Sequence, residues 1–248
     1  MTRARWIQLG AAVVAVGALE LICRLGWVRP TTLVPPSAMV QAAIAAAQDP
    51  DTLADFGLTL STVAIVVAIA AVLGVLGGVA LHAMPRWRRA AEPFIASNYA
   101  LPLFALYPLL VVVLGVGTAP IIATGVLYAM MSVAMATLAG LDRIPAVYRK
   151  AARVNRLGRF ATVTRILVPA CAPDIAGGIT LSVSYAFVAV IASEFLLASH
   201  GIGHAIADAY EEFQTRRMYG LMLGLGICVV AVNLAMARLR ARLATGPA

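Results

Sequence analysis

The chain has 248 residues, 62% of them hydrophobic and only 12% charged, with a mean hydropathy of +0.91. A soluble domain carries about 25% charged residues, so a soluble fold of this length is excluded and the apolar surface needs a bilayer. A net charge of +8 raises nucleic acid as a partner, and the placement of that charge decides against it.

In chain order, about 20 apolar residues are needed per crossing, and residues 6–28 supply the first. No small-residue cleavage site precedes Glu20, Arg24 and Trp27, so this run reads as a retained helix rather than a signal peptide. A break rich in Pro and Asp follows, holding a short helix over 37–48 that opens at Pro35-Pro36 and stops at Asp49-Pro50. The second crossing spans 58–82 and ends before Pro85. The third spans 94–113 and is interrupted by Pro102 and Pro108. The fourth covers 121–141, the fifth 175–197 and the sixth 218–236. The fold expected is therefore an all-α integral membrane protein with about six transmembrane helices. Its parts are an N-terminal helix (1–32), an outer segment (33–57), a five-helix core (58–239) and a tail (240–248).

With the N-terminus inside, the inner segments hold Arg3, Arg5, Arg86, Arg88, Arg89, Arg143, Arg149, Lys150, Arg153, Arg156, Arg159, Arg165, Arg238, Arg240 and Arg242, fifteen of the nineteen basic residues. Basic residues favour the cytoplasmic side, so both termini are expected inside. Charge gathered in loops on one side is explained by orientation and anionic lipid, and a nucleic-acid partner is not expected.

The loop between crossings four and five, residues 142–174, is both basic and half apolar. From Pro145, Ala151, Val154 and Leu157 recur at three-residue spacing and share a helix face. Gly158 offers a break. A second short helix runs from 159 to 168, with Phe160, Val163, Ile166 and Leu167 as its apolar face, and Pro169 and Pro173 stop it. Two short amphipathic helices result. On residues alone they suit either lipid headgroups or a cytosolic partner.

The loop resembles the "EAA" coupling loop of ABC importer permeases, the binding-protein-dependent type-I membrane domain. In "KAAR" Lys150, Ala151, Ala152 and Arg153 fall on its first four positions. Ile166, Leu167 and Pro169 fall on the closing "I-L-x-P", and Pro173 on the second proline. "LVPPSAMV" (33–40), "YPLLVVVLGVG" (107–117) and "ASEFLLASHGIGHAI" (192–206) resemble further segments of the family, the last in its nitrate, sulfonate and taurine branch. The similarity runs from Leu33 to Leu239. It departs at Lys150, where the family has Glu, and at Arg156, where the family has Gly, the nearest glycine here being Gly158. A partner ATPase with a more acidic groove, a second permease carrying the standard loop, or an impaired chain would each accommodate these departures, and the first is favoured.

The resemblance implies a permease in a bacterial inner membrane, crossing it several times. It pairs with a second copy or a non-identical permease. Its loop, with Lys150, Ala151, Ala152, Arg153, Arg156, Gly158, Ile166 and Pro169, docks on a cytoplasmic ATPase, and a solute-binding protein feeds it from outside. The substrate class implied is a small anion such as nitrate, a sulfonate, taurine or an aromatic acid, although some relatives carry pyrimidine precursors. No Walker-type phosphate loop, ordered Ser/His/Asp set or metal-spaced His pair lies in a crossing. The chain is therefore not expected to be an enzyme or to bind a cofactor, and ATP-Mg belongs to the partner. A self-contained secondary transporter or channel is the alternative, although the duplicated halves common in secondary transporters are not evident.

Intramembrane polar residues point to a path, because burying them in lipid is costly. Ser182, Tyr185, Ala189 and Ser193 step along one face of the fifth crossing, and Glu194 follows. The competing reading is helix–helix hydrogen bonding, or for Glu194 a partner such as Arg216 or Arg217. Glu20 is the weaker candidate. Asn98 and Asn233 read as helix ties, and Gly74/Gly78 and Gly220/Gly224 as close-packing pairs. His200 and His204, near Asp208, read as a wet loop rather than a metal site. Cys23, Cys171 and Cys228 are too scattered for disulfides or zinc.

Overall fold

A computed structural model describes residues 3–90 and 106–244, and all regular structure among them is helical. The elements are α1 (Arg3–Arg24), α2 (Pro36–Ala46), α3 (Pro50–Ala83), α4 (Tyr107–Leu114), α5 (Thr118–Arg143), α6 (Ala146–Val154), α7 (Arg159–Thr162), a π-helical turn (Val163–Leu167), α8 (Val168–Ala170), α9 (Ala172–Leu197), α10 (Ile202–Glu211) and α11 (Thr215–Ala244).

Helices α3, α5, α9 and α11 are long and apolar enough to cross a membrane. They are the second, fourth, fifth and sixth crossings read from the sequence, each extended beyond the apolar run. The 34 residues of α3 make a rod about 50 Å long against a hydrocarbon core of about 30 Å, so its polar first turns reach past the apolar stretch. Most of the first apolar run, expected as a crossing, lies in α1, a helix of 22 residues that is not among these four. Of the third, only α4 is described. Pro102 and Asn98 lie outside the described residues. α4 ends at Gly115 (φ +83°) and α5 opens after Gly117 (φ +144°), conformations that glycine adopts without a Cβ penalty.

The chain forms two compact units, one from residues 1–59 and 194–228, the other from 60–193 and 229–248. In the first, Ile202, Ala205, Ile206, Ala209 and Leu221 form the core, with Ala46, Phe56, Met218 and Leu225 around it. Glu20 joins α1 to α2. Its carboxylate accepts the Ser37 N–H at 3.0 Å and the Ser37 hydroxyl at 2.7 Å, and takes Arg24 Nε at 2.7 Å. That carboxylate covers an amide left over at the start of a helix whose Pro36 has none to offer. Gly220 lies against Ala42, where a Cβ would stand 2.5 Å from the alanine's own.

In the second unit, glycines bring the long helices together. A Cβ on Gly74 would stand 2.5 Å from Val133 Cβ, one on Gly78 2.6 Å from Thr137 Cβ, and one on Gly178 2.6 Å from Ala136 Cβ. α5 therefore packs backbone-close against both α3 and α9. Such small-residue seams replace the hydrophobic drive that is missing between helices in lipid. Asn233 ties α11 to α9, accepting the Ser184 hydroxyl at 2.9 Å.

Candidate functional site

The basic loop belongs to the second unit. α6 ends in a Schellman turn: Leu157 N–H donates to the Ala152 carbonyl and Arg156 N–H to that of Arg153, both at 3.0 Å. This geometry needs a left-handed residue after the helix, and Arg156 supplies it with φ +52°. The family pattern has glycine at this position. Gly158, read as the break, has no positive φ, so the turn is made two residues earlier. The turn also redirects Leu157. Sequence spacing put Ala151, Val154 and Leu157 on one apolar face, but the helix stops at Val154, Leu157 folds back half-buried, and the buried residue of α6 is Ala152, 2% exposed.

The segment after the turn is not the plain helix expected. Pro169 offers no N–H to the Arg165 carbonyl, and the residues before it widen into a π turn in which Val168 N–H reaches back five residues to Val163. Pro169 therefore sits within α8 rather than stopping the helix, and the break falls at Cys171. The turn faces Leu167 inward, where with Leu141, Cys171 and Ile175 it forms a core flanked by Ile166, Val163, Val75 and Val79.

A polar relay holds the other end of the loop. His82, at the end of α3, meets Asp142 Oδ1 through Nδ1 at 3.0 Å and Arg149 of α6 through Nε2 at 3.1 Å. Since a guanidinium only donates, Nε2 is the acceptor and Nδ1 carries the proton toward Asp142. Arg88 pairs with the other Asp142 oxygen at 2.8 Å, and Arg143 with Asp174 at 3.3 Å. The loop is thus fixed to the ends of α3, α5 and α9. Lys150, Ala151, Arg153, Arg156, Gly158 and Pro169 remain exposed, and Ile166 is half-buried.

The polar residues of α9 separate into different environments. Ser182 is fully buried and donates to the Ile179 carbonyl of its own helix at 2.8 Å. Tyr185 is half-buried, edge-on to Tyr128 with ring centroids 5.1 Å apart. Ser193 is fully buried, and its hydroxyl has no hydrogen-bond partner among the described residues.

Glu194, in the first unit, is 2% exposed. Its two oxygens take the Thr59 hydroxyl at 2.9 Å each, and Oε2 accepts the Gly203 N–H at 3.0 Å. Thr59 Oγ1 in turn accepts the Ile202 N–H at 3.0 Å, and Asp55 Oδ1 the Gly201 N–H at 2.9 Å. Three successive amides at the start of α10 are thus each received by a different side chain, two from α3 and one from α9. Arg216 and Arg217, the partners considered for Glu194, bond Gln41 and Gln214 instead. His204 pairs with Asp208 at 3.3 Å, and no group of three metal-ligating side chains occurs among the described residues.

Sequence reasoning missed Thr59, Asp55, His82 and Asp142. A Thr and an Asp four residues apart at the head of an apolar helix were the available signal for the first pair.

A model of the binding-protein-dependent transport system inner membrane component family matches residues 68–246, which contain the basic loop and its anchors. The chain belongs to that family. This ABC transporter permease is 30% identical to the nitrate import permease protein NrtB of Synechococcus elongatus, over 62% of this chain and 55% of that one. Its match thus spans about half the length of that relative. It is 23% identical to the taurine transport system permease protein TauC of Escherichia coli, over 92% of this chain and 86% of TauC. In fold the permease is similar to the MetNI methionine ABC transporter in its inward-facing form, with a TM-score of 0.65 at 18% identity, covering 74% of this chain and 92% of that one.

Proposed function

We propose that this permease forms the translocation path of an importer for a small organic or inorganic anion of the nitrate, sulfonate, taurine or aromatic-acid kind. The observation that carries the reading is the basic loop, anchored along one side and exposed along the other. A helix free to slide could not transmit force. α6 is held by the buried Ala152, by Arg149 on His82 and, through the following turn, by Leu167 in its core. A separate cytoplasmic ATPase would grip the exposed side, and closure of two ATPase subunits around ATP-Mg would move the loop as a rigid lever. A second permease copy would complete the path, and a solute-binding protein would deliver the anion outside. The one-sided distribution of Arg and Lys supports both termini being cytoplasmic in a bacterial inner membrane. The names of the nitrate and taurine relatives support the substrate class.

The path residues proposed are Ser182, Tyr185, Ser193 and Glu194. Tyr185 is the most accessible of them, and the burial of the other three favours shaping the path from behind rather than lining it. The test is uptake of labelled nitrate, taurine and an aromatic sulfonate into proteoliposomes holding the permease, its ATPase and its binding protein. ATP-dependent uptake of one of them is expected. Uptake by the permease alone would overturn the reading.

A further inference from the structure

This inference rests on the docking role just proposed for the loop and names the chemistry of the partner surface. On α6, Ala152 faces the protein and Arg149 is turned to His82. At 100° per residue, Val147, Lys150 and Val154 lie together on the opposite side. All three are exposed, Val147 at 66% and Val154 at 82%. Along the axis Lys150 stands between the two valines, and around the helix it lies beside Val154, on the side of Arg153. An interfacial helix buries its apolar side in lipid and keeps its cations at the rim. Here the apolar and cationic groups share one face, and that face points away from the ends of α3 and α5, where the other face is fastened.

Among the described residues no carboxylate is paired with Lys150 or Arg153. Residues 143–173 contain no Asp or Glu. The two acids that flank them are engaged, Asp142 by Arg88 and His82, and Asp174 by Arg143. An uncompensated cation at the centre of a contact is costly to desolvate unless the partner supplies the opposite charge. We propose that the Val147–Lys150–Val154 face docks in an acidic groove of the ATPase, with a groove carboxylate paired to Lys150.

The experiment co-expresses the permease with its own ATPase subunit and measures retention of the ATPase on the affinity-purified permease, with stimulated ATP hydrolysis as a second readout. Lys150 is exposed, so Lys150→Glu and Lys150→Met are expected to fold, which size-exclusion profiles check. Lys150→Glu should weaken retention about tenfold or more, Lys150→Met less, and a groove Asp or Glu changed to Lys should restore Lys150→Glu. If both Lys150 variants bind as wild type while Val147→Asp abolishes retention, docking through α6 stands and the acidic groove is overturned. If Val147→Asp and Val154→Asp also bind normally, the docking role itself fails.

Discussion

The carboxylate of Glu194 accepts the backbone N–H of Gly203, nine residues further on, at 3.0 Å. The same group holds the Thr59 hydroxyl, which in turn receives the Ile202 N–H. One acid therefore closes the link between the end of α9 and the start of α10 and fastens both to α3. A helix start leaves several amides without intrahelical partners, and in this buried place water does not serve them. Glu194→Ala would strand the Gly203 amide and loosen Thr59, at about 1–3 kcal/mol for each buried group left unpaired. A lower midpoint of thermal unfolding in detergent is expected, with faster proteolysis between α9 and α10. Unchanged stability with lost uptake would instead make Glu194 line the path rather than shape it from behind.

Gly201 is the hinge of that link. Its φ is +101°, and a Cβ there would lie 2.5 Å from the Glu194 carboxyl carbon. Gly201→Ala therefore meets both backbone strain, about 1–3 kcal/mol, and a collision with a side chain that cannot move without giving up Thr59. A sharp fall in folded yield is expected in size-exclusion chromatography, deeper than for Gly158→Ala, whose Cβ would meet open space.

Arg156 holds a left-handed conformation at the end of α6. A left-handed residue with a Cβ costs about 1–2 kcal/mol, part of which glycine returns as lost chain entropy. Arg156→Gly should raise stability by about 0.5–1 kcal/mol and slow hydrogen exchange at the Leu157 amide. A destabilised variant would mean that the arginine side chain matters more than its backbone.

Ser193 buries a hydroxyl with no partner among the described residues. Removing a buried polar group without a partner relieves its desolvation, so Ser193→Ala should be neutral or stabilising by up to about 1 kcal/mol. If the hydroxyl shapes the path, uptake kinetics will change while the melting temperature does not fall.

Asp49 precedes α3 and accepts the Thr52 hydroxyl at 2.6 Å and its N–H at 3.3 Å. The Thr52 hydroxyl bond holds its carboxyl below the ordinary 3.8. A carboxyl depressed in the folded state contributes stability above its unfolded pKa, and that contribution fades as pH falls through the folded value. Asp49→Asn should therefore melt below wild type near neutral pH, with the gap narrowing below about pH 4. A gap that is constant with pH would remove the charge from the account.

Membership of the fold class and the four long crossings was legible, because unbroken apolar runs between Pro, Gly and Arg leave lipid as the only solvent for α3, α5, α9 and α11. The close-packing glycines were legible too: Gly74 and Gly78 meet α5 at backbone distance. Helix faces in the loop were less so. The period that joined Ala151, Val154 and Leu157 assumed a helix that continues, whereas the Schellman turn at Arg156 ends it and reverses the chain. Likewise Pro169 reads as a stop, but the π turn before it absorbs the missing amide.

By itself the sequence determined how much of this protein must lie in lipid and where its charge gathers, since both depend on composition along the chain and hardly on contacts. Only the tertiary structure decided what Glu194, Thr59 and His82 do. A carboxylate in an apolar run is equally costly whether it faces a solute or an amide. Its role is set by which donors, from residues as far apart as 59 and 203, are folded to within 3.0 Å of it.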